Sequence, residues 1–269
     1  ALNNVRTVYV EDITAKGEST FKKLGVDVQG RPVGFDQLYD TTTYDRQNQI
    51  RLLQFLGFSE ATHNGQTKPL NEWVNTNTSI QELRLVQPTT TDKVLGASIH
   101  SKPIAVSYGA KLDDKGRVKD TDRQDYVFFG SMDGALHLVN AKDQANGGGT
   151  EDVAIIPKIM MQTQPEALVP NSTYSATNDR ATGVPNFGID GHWTFKNTYK
   201  YDYKDNQVKP ADRMLAYGGM RLGGEGLLAL DITSKDSPKK AFSSQNSALI
   251  DKTTSGFERI GYVWNQPTL

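Results

Sequence analysis

Two histidines, His100 and His137, sit inside apolar β-patterned runs, and a histidine pair can hold a metal or shuttle a proton. The blander role is an imidazole hydrogen bond to a neighbouring strand or turn, because buried polar groups must be paired. Ser98 and Ser101 flank His100, but no G-x-S-x-G elbow precedes a helix, which argues against hydrolase chemistry. The stretch Asp113, Asp114, Asp120, Asp122 and Asp125, with Gly116 for a turn, is the nearest approach to a calcium loop. Its candidate ligands are Asp113, Asp120 and Asp122. Their spacing is not the alternating one a hard cation needs, and Lys115, Arg117, Lys119 and Arg123 oppose a cation, so a solvated loop is the main reading. The glycine-rich run Gly218–Gly226 invites a phosphate-loop reading but lacks the Gly-Lys-Ser/Thr ending and a following helix. It reads as a hairpin turn, in which Gly223, Gly224 and Gly226 permit close backbone approach or positive φ. For binding, the candidates are Trp193 and the alternating Tyr199, Tyr201 and Tyr203, which would share one face of a strand. Trp73 and Trp264 add to that list, since aromatic side chains combine large area with little freedom to lose.

These side chains need β elements to place them. Val5–Val10 alternates and is β-branched, which predicts a strand. Residues 11–44 suit loops and short strands. Asp45 caps a helix over Arg46–Leu56, with Ile50, Leu53 and Leu56 on one face and Gly57 as a left-handed stop. Residues 62–91, rich in Asn and Thr, read as a linker or irregular excursion. From Val94 the pattern is all β: strands at Ile104–Tyr108, Tyr126–Phe129 and Ala135–Val139, the last two joined by Asp133-Gly134, a pair that readily forms a hairpin turn. Asp133 and Asp231 are expected to accept backbone N–H bonds in turns.

The 269 residues hold one large core or two modest ones. Apolar residues are 36% of the chain and mean hydropathy is −0.55, which predicts long polar connections. A net charge of −1 gives no global footprint for nucleic acid. No cysteine is present, which removes disulfides, thiolate metal sites and a cysteine nucleophile. The longest apolar runs fall far short of the roughly 20 residues a membrane-spanning helix needs. The start lacks an initiator Met and a signal-peptide pattern, and reads as a mature start or an internal cut.

One plan occurs twice. Val127–Met132 followed by Ala135–Asn140 matches Met214–Met220 followed by Leu227–Asp231: a strand ending in Gly-X-Met, a glycine-bearing turn, and a strand ending in Asn or Asp. The copies are roughly ninety residues apart, longer than the ~40–50 of regular propeller repeats, so insertions or a degenerate blade must lie between them. Each hairpin has an apolar face it cannot bury alone, and stacking hairpins around an axis covers such faces.

Four ordered segments then carry a family resemblance: LGASIHSKP (Leu95–Pro103), GSMDGALHLVNA (Gly130–Ala141), GGMRLGGEGLLALDIT (Gly218–Thr233) and Ile260–Thr268. With the helix Ile50–Gly57 they resemble the β-propeller region of the PilC/PilY family of type IV pilus-associated biogenesis factors and adhesins, over about residues 50–269. The neisserial PilC branch is the most similar. The resemblance implies a mainly β, quinoprotein-like propeller, incomplete in this chain, with one short helix and long irregular insertions. Residues 1–92 would be a lead-in with the helix at about 45–57, and residues 93–269 partial blades, the ring being completed by further sequence of the parent chain. It further implies a non-enzymatic protein at the bacterial outer membrane or outside the cell, which promotes pilus assembly against retraction and mediates adhesion. Its partners would be major or minor pilins and the host-cell surface. Calcium is implied by the family, although no faithful copy of its alternating-Asp loop is present. The rival reading is a quinoprotein-like, pyrroloquinoline-quinone-dependent dehydrogenase, whose hairpins look alike. The blade-docking Gly and Trp of those enzymes are absent after Asn140 and Asp231.

Overall fold

A computed structural model describes residues 6–87, 95–143, 145, 147–169, 186–242 and 247–268. The chain opens with β1 (Val8–Ile13) and β2 (Ser19–Val26), an antiparallel hairpin paired from Val8↔Leu24 to Ile13↔Ser19. The expected first strand is thus shifted three residues onward, and Val5 lies outside the described residues. The short β3 (Pro32–Val33) extends the hairpin. Next comes α1 (Arg46–Phe55), where the Asp45 carboxylate accepts from Asn48 N at 2.8 Å and satisfies one of the free N–H groups of the first turn. Ile50, Leu53 and Leu56 are buried, joined by Leu52 and Phe55, and Gly57 ends the helix at φ 100°.

The segment expected to be a linker is ordered instead. Strands β4 (Glu60–His63), β5 (Gln66–Pro69) and β6 (Arg84–Leu85) form a small sheet in the order β5-β4-β6. Between them Trp73 is buried, its indole N–H donating to Ala61 O at 3.2 Å, and Ser79 with Glu82 forms a capping box on a single 3₁₀ turn. Strands of two to four residues are too short for alternation to reveal them.

The first hairpin of the repeat belongs to a meander. Its strands are β7 (Ile104–Ser107), β9 (Asp125–Gly130), β10 (Leu136–Asn140) and β11 (Glu151–Ile156), each antiparallel to the next, with β8 (Ala110–Lys111) projecting from the β7–β9 connection. A second helix, α2 (Lys158–Thr163), follows; only one helix was expected. Strand β1 pairs in parallel with β11, Val8 opposite Ala154 and Val10 opposite Ile156, giving a seven-stranded sheet β3-β2-β1-β11-β10-β9-β7. The division expected near residue 92 therefore runs between elements of one sheet. The physical reason lies in β11, where Val153, Ala154, Ile155 and Ile156 are all buried. A strand apolar on both faces makes a poor free edge, and β1 covers it.

The second meander runs β12 (Trp193–Lys196), β15 (Leu215–Gly219) and β16 (Leu227–Asp231). Its outer position is split between β17 (Lys239–Lys240) and β18 (Leu249–Ile250), which pair with opposite ends of β16. Between β12 and β15 the chain makes a side excursion, β13 (Tyr199–Asp202) and β14 (Gln207–Pro210), which pairs with β8 of the first meander. The two meanders meet through Phe128, whose ring lies edge-on to Trp193 (5.3 Å) and Phe195 (4.9 Å). The two repeat-related glycines both make room for packing. A Cβ on Gly218 would lie 2.3 Å from the Trp193 ring, and one on Gly130 would lie 2.0 Å from Ile189 O. Among the described residues no helix is long and apolar enough to cross a membrane.

Candidate interaction surface

The Asp133-Gly134 turn holds up a buried ionic chain. Gly134 takes φ 82°, while Asp133 Oδ1 accepts from Ala135 N (3.0 Å) and from Ser131 Oγ, and Oδ2 accepts from Gly96 N (3.0 Å). His137, fully buried on β10, meets Asp133 Oδ1 through Nε2 (3.1 Å) and Glu151 Oε2 on β11 through Nδ1 (2.7 Å). Glu151 receives Arg6 through two bonds, at 2.8 and 3.0 Å. Arg6 Nη1 donates to Phe55 O at 3.1 Å, and the guanidinium lies 4.3 Å from the centre of the Phe55 ring. Four charges thus alternate in sign from the turn to the end of α1.

Burial alone would push the His137 pKa down, but the two carboxylates outweigh it and raise it to about 9. Burial would likewise raise Asp133. The His137 charge and the hydrogen bonds from His137, Ser131 and Gly96 overcome that and hold it well below the usual carboxylate range. Glu151 is lowered for the same kind of reason: His137 and Arg6 overcome its desolvation. Ser131 Oγ lies 3.0 Å from His137 Nε2, with a carboxylate on Nδ1, which mimics a nucleophile–base–acid row. It cannot work as one. Ser131 is fully buried, Nε2 also faces Asp133, and the ring carries its second proton at neutral pH. The arrangement is a clamp joining turn, blade and N-terminal segment.

His100 belongs to a different network. Its Nδ1 lies 2.6 Å from Asp190 Oδ2, and Asp190 Oδ1 accepts from the backbone N–H of Ile99, His100 and Ser101 at 2.7–3.0 Å. Ser101 Oγ in turn accepts from Gly130 N at 2.8 Å, and Ser98 Oγ donates to Ser101 O. Asp190 is buried and ties the segment before β7 to the second meander. Nothing local to Asp190 in the sequence marks it out.

The acidic loop does not assemble a cation site. Asp113 turns on its own neighbours, accepting from Lys115 N and Arg117 N and pairing with the Arg117 guanidinium at 2.9 Å. Asp120 and Asp122 lie on a 3₁₀ turn beyond it. Among the described residues no three His, Asp or Glu side chains converge as metal ligands, so Asp113, Asp120 and Asp122 do not form the calcium site that the resemblance implies. At the second hairpin, a Cβ on Gly223 would lie 1.7 Å from Gly188 O, Gly224 is extended, and Gly226 takes φ 99° with its N–H on Gly261 O at 2.9 Å. Asp231 Oδ1 accepts from Thr233 N and Oγ1, and its Oδ2 pairs with Arg213 at 2.7 Å.

The tyrosines form the most extended aromatic surface. Tyr199 and Tyr201 share a face of β13 and are 40% and 54% exposed; Tyr203, just past the strand, is 67% exposed. The Tyr201 and Tyr203 rings stack, centres 5.9 Å apart and planes within 23°. Tyr199 Oη donates to Ser107 O on β7 at 2.9 Å, which fixes the excursion to the first meander. The Tyr203 ring passes over Gly116, where a Cβ would be only 3.2 Å away. Trp193 is no part of this surface. It is 1% exposed and fills the seam between the meanders, a correction to its expected contact role. Trp73 is also in the core, whereas Trp264 is exposed beside Tyr262 and under the Arg221 guanidinium.

Two antiparallel meanders, each reversing at a Gly-X-Met turn and joined through the Phe128, Trp193 and Phe195 rings, define a β-propeller segment. The chain belongs to the PilY1 family: the family model of the PilY1 β-propeller domain matches residues 102–264, more than half of its length. The protein is accordingly type IV pilus-associated, in a family that is non-enzymatic. No curated protein and no solved structure matches the chain significantly. The matched span starts just before β7, so β1–β6 and α1 precede it although β1–β3 share its first sheet.

Proposed function

We propose that this chain is part of a neisserial PilC-type factor at the bacterial outer membrane or cell surface, which promotes pilus assembly against retraction and mediates attachment to host cells. Its partners are major or minor pilins and the host-cell surface. The observation that carries this reading is the exposed Tyr199–Tyr201–Tyr203 surface, held on a rigid strand pair between two blades of a PilY1 propeller. Stacked tyrosines present a large contact area that is already ordered, so little conformational freedom is lost on binding. The test is direct binding of the purified chain to immobilised pilins and, separately, to host-cell membranes. Saturable binding to both supports the combined role. Binding to pilins alone restricts the chain to a pilus scaffold, and binding to neither overturns the proposal.

A further inference from the structure

A pocket of about 560 Å³ lies between α2, the second hairpin turn and the C-terminal segment, within the size range of sites that take one small ligand or side chain. Its floor is rigid. Gln164 Nε2 donates to Gly223 O at 2.6 Å, its Oε1 accepts from Phe187 N at 2.8 Å, and the backbone at Gly223 abuts that at Gly188. Ile159, Phe187 and Leu249 supply apolar wall, and Glu225 and Asp251 supply two carboxylates. Among the described lining residues the only cation, Lys252, pairs with Glu225 at 3.2 Å; both are well exposed, 65% and 41%, and such a pair is weak enough to yield to a competitor. Asp251 uses Oδ1 to hold Thr253 N and Oγ1, and its Oδ2 has no hydrogen-bond partner among the described residues. Leu222 and Tyr262, each 49% exposed, complete the lining, and the Trp264 ring lies beside Tyr262 with ring centres 6.3 Å apart.

We infer that this pocket receives a lysine side chain presented by a partner polypeptide. The apolar wall suits the four-carbon stem, the excess carboxylate suits the ammonium, and the exposed Leu222 and Tyr262 offer apolar contact to the residues that flank a lysine in a chain. A free amine would leave those two side chains bare. The site shares no residue with the tyrosine surface, so its success or failure is judged independently of the proposed adhesive role.

The test is a titration of the full 269-residue chain, followed by NMR, with the peptide Ac-Gly-Gly-Lys-Gly-Gly-NH2. Three competitors carry norleucine or glutamate at the central position, or are n-butylamine alone. The expected result is saturable binding of the lysine peptide, with each competitor at least about tenfold weaker and the shifts centred on Leu249, Asp251 and Tyr262. D251N keeps the Oδ1 acceptor and therefore the Thr253 turn; it and E225Q should each weaken the lysine peptide about tenfold, whereas E18Q, at an exposed carboxylate outside the pocket, should not change it. Equal binding of norleucine and lysine peptides, undiminished binding to both carboxylate variants, or no saturation in the millimolar range overturns the inference. Butylamine binding as tightly as the peptide overturns the polypeptide assignment.

Discussion

His137 is the residue on which the first blade's internal order turns. Its imidazolium sits between Asp133 and Glu151 with no access to water, and removing it leaves two buried carboxylates, of which Glu151 keeps the Arg6 guanidinium and Asp133 loses its cation. Breaking a buried ionic group in this way typically costs about 3–5 kcal/mol. H137A should therefore lose stability on that scale, measured by chemical denaturation. The same clamp sets a pH window. Because folding raises the His137 pKa to about 9, its contribution is fully present below the unfolded value near 6.5 and fades as pH rises through about 9. Asp133 and Glu151 are lowered, so their share is present above the usual carboxylate range and is lost as pH falls through their depressed values. The melting temperature should decline on both sides of a neutral plateau, and H137A should remove the alkaline limb; an unchanged alkaline limb in that variant would refute the clamp. At this scale the sequence discloses the turn residues, because Asp-Gly has a local conformational signature. It does not disclose Glu151 as the partner of His137, 14 residues away on the next strand, or Arg6 as the partner of Glu151, 145 residues away. Nor does residue type distinguish the buried Trp193 from the exposed Trp264.

At the scale of elements, the repeated glycines act by making room. A methyl group at Gly218 would meet the Trp193 ring, itself locked against Phe128, so G218A must displace the packing that joins the two meanders. Overpacking of this kind costs about 1–3 kcal/mol. A drop of that size in thermal unfolding is expected, while G17A, at a turn where a Cβ meets nothing but φ is 77°, should cost only its backbone strain of about 1 kcal/mol. Helix α1 was readable because its cap, apolar face and glycine stop all lie within thirteen residues, Asp45 to Gly57. Both hairpins were readable through their alternation and turns. The parallel β1–β11 pair and the β4–β6 sheet were not, because pairing between distant strands leaves no local periodicity, and strands as short as two residues leave none at all.

Across the whole molecule, propeller-like blades provide a stiff frame from which side excursions reach the surface. The β13–β14 hairpin is the clearest of these: it leaves the second meander, pairs with β8 from the first, and exposes its tyrosines. Loops and hairpins placed on rigid sheets are where binding is usually found. Among the described residues the most triad-like group, Ser131 with His137 and Glu151, is buried within this frame. Dye-linked alcohol oxidation with added pyrroloquinoline quinone and calcium should show no turnover above the rate without protein. Family membership is legible from four ordered motifs; the exposed tyrosine row is legible only as an alternation, and its third ring stacks on the second beyond the strand end. The most direct test of the adhesive surface is co-sedimentation of the chain with sheared type IV pili, comparing wild type with the Y201S/Y203S double variant. Both side chains are exposed, so stability should stay within about 0.5 kcal/mol per site. The account predicts at least a tenfold loss of fibre binding in the double variant with an unchanged melting temperature, whereas equal co-sedimentation of both proteins would contradict it.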